Sequence, residues 1–159
     1  MRIGHGVDVH AFDGGPIREA QLRLGGVDIP FERALAGHSD ADVVLHAVVD
    51  ALLGAAALGD IGGMFPSSDE RWRDADSRDF LLLAYRRVLD AGLSVSNLDV
   101  TIVAERPKLA PHTEAIRESL RRALSVDLGA VSVKAKTTDA LGFTGRGEGI
   151  AAFAVVLLQ

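Results

Sequence analysis

The residues best suited to chemistry lie in two short stretches near the start of the chain. Asp8 and His10 stand two apart in RIGHGVDVHA. In an extended strand, that spacing puts both side chains on one face. Asp42, His46 and Asp50 stand four apart in DVVLHAVVD, a stretch otherwise made of Ala, Val and Leu. On a helix they form one stripe. Carboxylates and an imidazole on an apolar helix are costly to bury unless they are paired or bound to a cation. A strand offering Asp8 and His10 to a helix offering His46 makes a His₂Asp ligand set. Three protein ligands leave a fourth tetrahedral position open, as in catalytic rather than structural zinc sites. Asp42 or Asp50 could hold the far nitrogen of His46, as carboxylates behind metal-bound histidines do. Taken singly, each of these residues also reads plainly: the two aspartates as helix-surface hydrogen-bonders, His46 as a satisfied core histidine. Cysteine is absent, so a metal here must take His and carboxylate ligands.

A second group lies late in the chain. Thr137-Thr138 and the run Thr144 to Gly149 flank Asp139. Gly-rich turns let backbone N–H groups approach phosphate oxygens, and threonine hydroxyls add donors. Asp139 would suit a hard cation such as Mg²⁺ bridging phosphates; the alternative is a plain turn between strands. Arg146 beside Glu148 reads either as a salt bridge or as a cation at an oligomer axis. AERPKL, residues 104–109, follows a strand and turns through Pro, which could present free backbone groups to a base edge or be an ordinary connection. His38, in HSDAD, can face whatever the metal holds and contact a phosphate. His5 has opposite parity to Asp8 and His10 and reads as a packing residue. His112, after Pro111, reads as structural or solvated.

These groups need elements to position them. Residues 1–11 read as a strand thinned on one face by Gly4 and Gly6, with Val7 and Val9 pointing into a core. Residues 21–31 read as a hairpin turning at Gly25-Gly26. Ser39-Asp40 are N-cap types, and Ala41 to Leu58 is apolar almost all round, which predicts a buried helix ended by Gly59. Residues 59–76 read as a long functional loop. Ser77 caps a helix to about Ala91, Leu98 to Ala104 is a strand, Pro111 opens a helix to about Leu124, and Val131–Lys136 and Ile150–Leu158 are strands. The expected fold is α/β (α+β): one layered domain over 1–159, with helices on one face of a mostly antiparallel or mixed sheet.

Composition narrows the function classes. The 159 residues suit one domain, and 48% of them are hydrophobic. With 17 Lys+Arg against 22 Asp+Glu, the net charge of −5 argues against nucleic-acid binding. A phosphorylated ligand remains compatible, because a bound cation supplies positive charge locally. No signal-like run opens the chain and Val43 to Leu58 is too short to span a bilayer, so a soluble, cytoplasmic protein is expected.

Four segments together resemble the 2-C-methyl-D-erythritol 2,4-cyclodiphosphate synthases of the non-mevalonate isoprenoid pathway: GHGVDVHAF, HSDADVVLHAVVDALLGAAALGDIGGMFP, RPK and KAKTTDALGFTGRGEGIA. They run from residue 4 to residue 151 in family order and spacing. The resemblance implies a homotrimer with active sites between neighbouring subunits. It implies Zn²⁺ (or another divalent transition metal) on Asp8, His10 and His46, and Mg²⁺ or Mn²⁺ on the diphosphate through Asp139, where many members carry Glu. It places cytidine contacts on Ala104, Lys108, Leu109 and Ala110, a phosphate contact on Thr137, substrate-facing positions on His38 and Ser39, and methylerythritol contacts on Asp60 and Gly62. Phe143 and Arg146 fit a central cavity that in some members binds isoprenoid diphosphates; Val7 stands where some members have Phe. Ser67 stands where members often have Asp, and no contact is carried to it.

The implied reaction is an intramolecular phosphoryl transfer that releases CMP. The nucleophile is an anionic phosphate of the substrate, so no activated side chain is required. One rival is a metal-dependent phosphohydrolase giving linear phosphates. The other is a non-catalytic trimer that binds isoprenoid diphosphates.

Overall fold

A computed structural model describes residues 1–14 and 21–159. Its main sheet has four strands in the order β1 (Arg2–Ala11), β6 (Gly149–Leu158), β4 (Val95–Val103), β5 (Val131–Lys136). β1 and β4 each pair antiparallel with β6, while β4 and β5 run parallel. The β4–β5 connection carries α4 (Thr113–Leu124), as a parallel crossover requires. The sheet is therefore mixed. A small hairpin, β2 (Leu22–Leu24) and β3 (Val27–Ile29), turns at Gly25-Gly26, both with positive φ. Two further helices are α1 (Val43–Ala56) and α3 (Ser77–Asp90), with single turns α2 (Ile61–Met64) and α5 (Gly142–Gly145).

α1 is the centre of the core. It is buried on nearly every side, touching β1 and β6 on the sheet and α3 behind it. Its contact with β1 is unusually close, and the cause is in the strand. A Cβ on Gly4 would lie 1.9 Å from the Ala51 carbonyl oxygen, and one on Gly6 would lie 2.0 Å from that of Ala47. Gly4 and Gly6 share a strand face with Asp8 and His10, so the glycines that admit the helix also bring His46 to the ligands.

Several boundaries differ from the sequence reading. α1 begins at Val43, capped by Asp42 rather than by Ser39-Asp40, because Ala41 takes a left-handed φ of 55°. It ends at Ala56, with Ala57 in the left-handed cap position expected of Gly59. Asp76, not Ser77, caps α3. The 59–76 segment is not plain loop: it contains α2 and a 3₁₀ turn at Glu70–Trp72. Val7 and Val9 do not point into the core. They are 42% and 47% exposed, on an open sheet face with Ile3, Phe153 and Val155. His5 lies exposed on that face too, so its reading as a packing residue is also corrected. Among the described residues, helices cover only one side of this sheet, and the parity that turns Asp8 and His10 toward α1 turns the valines away from it. Among the described residues, no helix is long and apolar enough to cross a membrane.

Candidate metal centre

Asp8, His10 and His46 converge where β1 passes α1. His46 Nδ1 lies 3.0 Å from Asp8 Oδ2 and 3.2 Å from His10 Nε2, and His10 Nε2 lies 3.5 Å from Asp8 Oδ2. Ligands about 2.0–2.2 Å from a tetrahedral zinc lie about 3.3–3.5 Å apart, so the triangle is of the right size.

The protons also fit a cation. His10 Nδ1 is 2.9 Å from the Val9 carbonyl and donates to it, which leaves Nε2 as a lone pair. His46 Nε2 is 2.9 Å from Ser77 Oγ. The Ser77 hydroxyl donates to Asp40 Oδ1, so its oxygen accepts from His46, and His46 Nδ1 is also a lone pair. A carboxylate oxygen and two imidazole lone pairs thus face one another at hydrogen-bond distance. A metal ion between them, or a proton shared with Asp8, makes that arrangement favourable.

The support behind His46 is not what its helix spacing indicated. Asp42 is wholly buried and accepts from the amides of Gly25, Gly26, Val44 and Leu45, tying the hairpin turn to the start of α1. Burial pushes its carboxyl up to about 6, against the pull of those amides. Asp50 accepts from the Ile61 amide at 2.7 Å and so anchors α2. Burial raises its pKa as well, while the Ile61 amide opposes the rise. Both carboxylates are consumed by backbone donors, and Ser77 takes the place expected of them. Ser77 lies 31 residues beyond His46. The one signal at its position, a hydroxyl at a helix start, reads as a cap.

A cavity of about 430 Å³ opens in front of the three ligands. His38, Ser39 and Gly62 line it. Asp60 does not line it; its carboxylate caps α2 through the Gly63 amide at 2.7 Å. The back wall is aromatic and was not foreseen. Phe65 stacks on Phe80 at 4.5 Å between ring centroids, Trp72 meets both edge-on, and Phe80 lies 6.1 Å from His46.

The second group of residues forms a separate cavity of about 410 Å³ at the ends of β4 and β5. Ala104, Lys108, Leu109, Ala110 and Thr137 line it, with the cis Arg106–Pro107 peptide at its edge. Ala104 and Leu109 are buried, while Lys108, Ala110 and Thr137 are exposed. Asp139 is exposed beside it, accepting from Thr137 Oγ1 at 3.4 Å. The two cavities share no lining residue. Phe143 and Arg146 lie apart from both. Arg146 is paired with Glu148 at 2.7 Å, the salt-bridge alternative of its two readings.

Known proteins resemble the chain along its whole length. The model of the YgbB family matches residues 1–159. The chain is 58% identical over 159 residues to the 2-C-methyl-D-erythritol 2,4-cyclodiphosphate synthase of Marinobacter nauticus, covering 100% of this chain and 98% of that one. It superposes on a CDP-bound structure of such a synthase with a TM-score of 0.88 and 38% identity, covering 99% of this chain and 100% of the other. Against the bifunctional IspDF of Campylobacter jejuni the TM-score is 0.92 at 40% identity, covering 99% of this chain but 42% of that longer one. With its full length matched by the family model and by a curated relative well over half identical, the chain belongs to the YgbB family.

Proposed function

We propose that the chain, as one domain over residues 1–159, converts 4-diphosphocytidyl-2-C-methyl-D-erythritol 2-phosphate to 2-C-methyl-D-erythritol 2,4-cyclodiphosphate and CMP. It would act as a phosphorus–oxygen lyase in the cytoplasm. The observation that carries this reading is the triangle of ligand atoms on Asp8, His10 and His46, within 4.8 Å of one another and opening on a cavity of about 430 Å³. The names of the relatives supply the cyclic diphosphate product, and the CDP bound to one neighbour supports a cytidine nucleotide in the substrate.

In this reaction a 2-phosphate oxygen of the substrate attacks the β-phosphorus, and the bond from that phosphorus to the CMP oxygen breaks. The electron pair leaves with CMP. Zn²⁺ on the triad would polarise and orient the β-phosphate, and Mg²⁺ or Mn²⁺ on Asp139 would offset charge on the diphosphate. The protein's own work is positioning. His38 and Ser39 face the phosphates. Gly62, at the N-terminal turn of α2, leaves room for the methylerythritol, and Asp60 keeps that turn in place. Ala104, Leu109 and Ala110 present backbone to cytosine, Lys108 adds charge beside them, and Thr137 donates to a phosphate.

A substrate that joins cytidine to methylerythritol must reach both cavities at once. We therefore read the active unit as a homotrimer in which the metal cavity of one copy meets the nucleotide cavity of the next. The open sheet face, with Val7, Val9, Phe153 and Val155 exposed, is apolar enough to be covered in such an assembly. Phe143 and Arg146 would then line the trimer axis, where an isoprenoid diphosphate could be held.

The test is phosphorus NMR of the purified protein with this substrate and Mg²⁺, with and without zinc chelation. CMP plus a cyclic diphosphate, lost on chelation and restored by zinc, is the expected result. CMP with only linear phosphates would make the chain a phosphohydrolase. Metal binding without turnover would leave a binding protein. His46→Ala should abolish turnover yet spare binding at the axis.

A further inference from the structure

Among the described residues, the His46 ring is held from behind by a side chain of another element. His10 is fixed by its neighbour's carbonyl, through the Val9 oxygen. His46 Nε2 instead points to Ser77 Oγ, at the start of α3. Ser77 is wholly buried. Its hydroxyl donates to Asp40 Oδ1, and its backbone amide lies 3.2 Å from Asp40 Oδ2. Asp40 is held in turn by Arg23 on β2, whose Nη1 lies 3.4 Å away and also reaches Asp76 at 3.1 Å. A chain of polar groups thus runs from the hairpin through Asp40 and Ser77 to the back of the ligand.

The direction of that chain follows from the donors available. Asp40 is a carboxylate beside a guanidinium, so it only accepts. The single Ser77 proton is therefore committed to Asp40, and Ser77 Oγ presents a lone pair to His46. Ser39 Oγ lies 3.3 Å from the same His46 nitrogen, farther than Ser77. It accepts from the Ala41 amide at 3.3 Å, and the carboxylate-bound Ser77 hydroxyl cannot also donate to it.

We propose that Ser77, polarised by Asp40, is a positioning residue for the metal centre. It accepts the Nε2 proton of His46 and so offsets the pull of the Asp8 carboxylate, 3.0 Å from Nδ1, leaving the Nδ1 lone pair for an ion. This rests on reading those three residues as ligands. A histidine free to exchange tautomers would spend part of its time with a proton where the ion must bind, and partners that fix a ligating histidine are typically worth about 10–100-fold in metal affinity.

The test uses metal-free and zinc-titrated full chain. Long-range ¹H–¹⁵N spectra at a pH where imidazoles are neutral should show wild-type His46 as the Nε2–H tautomer. Ser77→Ala should give a mixture of tautomers and weaken zinc binding by about 10–100-fold in chelator competition. Asp40→Ala keeps Ser77 but frees its proton to point at His46, and should shift the tautomer the same way. Because Asp40→Ala leaves the buried Ser77 site filled, it remains informative if Ser77→Ala folds poorly. A His46 spectrum and zinc affinity unchanged in both alanine variants, while His46→Ala loses zinc, would overturn the relay and leave the metal centre standing. Wild-type zinc affinity in His46→Ala would overturn the metal centre itself.

Discussion

The carbonyl oxygen of Ala47 on α1 lies only 2.0 Å from where a Cβ on Gly6 of β1 would stand. The next backbone atom, Ala51 N, is 2.7 Å from the same point. Neither can rotate aside, so Gly6→Ala must lift the helix from the strand. Overpacking of this kind costs about 1–3 kcal/mol. The helix carries His46 and the strand carries Asp8 and His10, so zinc affinity should fall together with stability. Gly54→Ala is the matched control: it lies inside α1 with nothing within 4 Å, and should raise stability by about 0.5–1 kcal/mol. Thermal denaturation and chelator competition on both variants check the pair. Unaltered zinc binding in Gly6→Ala would show that the glycines serve packing alone.

That relationship also marks how far the sequence could be read. The three ligands were legible because each carries its own local signal: period two on a strand, and a polar residue in an apolar helix. Gly4 and Gly6 were legible as a thinned face. The direction of Val7 and Val9 was not, since the sequence carries no sign of which sheet face the helices would cover. Ser77 was hidden for a related reason. A hydroxyl at a helix start already has a sufficient local explanation, and its meeting with His46 is purely tertiary. Asp42 misled in the opposite way: its four-residue spacing matched a stripe, but the left-handed turn at Ala41 makes it a cap.

Asp42 gives a pH prediction. Burial raises its native pKa to about 6 from an ordinary 3.8. The folded state therefore holds this proton more tightly than the unfolded state. The stability this proton contributes is complete below about pH 4 and is lost as the pH rises through about 6. Asp42→Asn cannot titrate, and it leaves buried amides short of acceptors, costing about 1–3 kcal/mol. Denaturant unfolding of metal-free protein should show the gap between wild type and Asp42→Asn narrowing from about pH 4 to about pH 7. A gap that widens with pH would mean that the four amides outweigh burial.

Trp72 is the sole tryptophan and lines the metal cavity. Its indole N–H is buried without a partner among the described residues. Its ring meets Phe80, which in turn lies beside His46. Intrinsic fluorescence should therefore report the filling of this cavity. Adding the cyclic diphosphate product to zinc-loaded protein is expected to change the emission, and to leave it unchanged in His46→Ala. Equal responses in both proteins would place the ligand elsewhere.

The separation of the two cavities leads to the last prediction. Asp8, His10 and His46 lie in one, while Thr137, with Asp139 beside it, marks the other. If a working site joins the metal half of one copy to the nucleotide half of the next, His46→Ala and Asp139→Asn damage different halves. Each variant alone should be inactive. Mixed, dissociated and reassembled in equal amounts, they should regain activity, because some sites then combine an intact metal half from one variant with an intact nucleotide half from the other. Random assembly into a cyclic trimer makes this true of about one site in four, so about a quarter of wild-type turnover is expected. Both halves damaged within one chain, as in the double variant mixed with inactive His46→Ala, leave no site intact and should give none. No recovery on mixing the single variants, with mixed trimers verified by native mass spectrometry, would mean that each chain completes its own site and that the two cavities must join by movement within one copy.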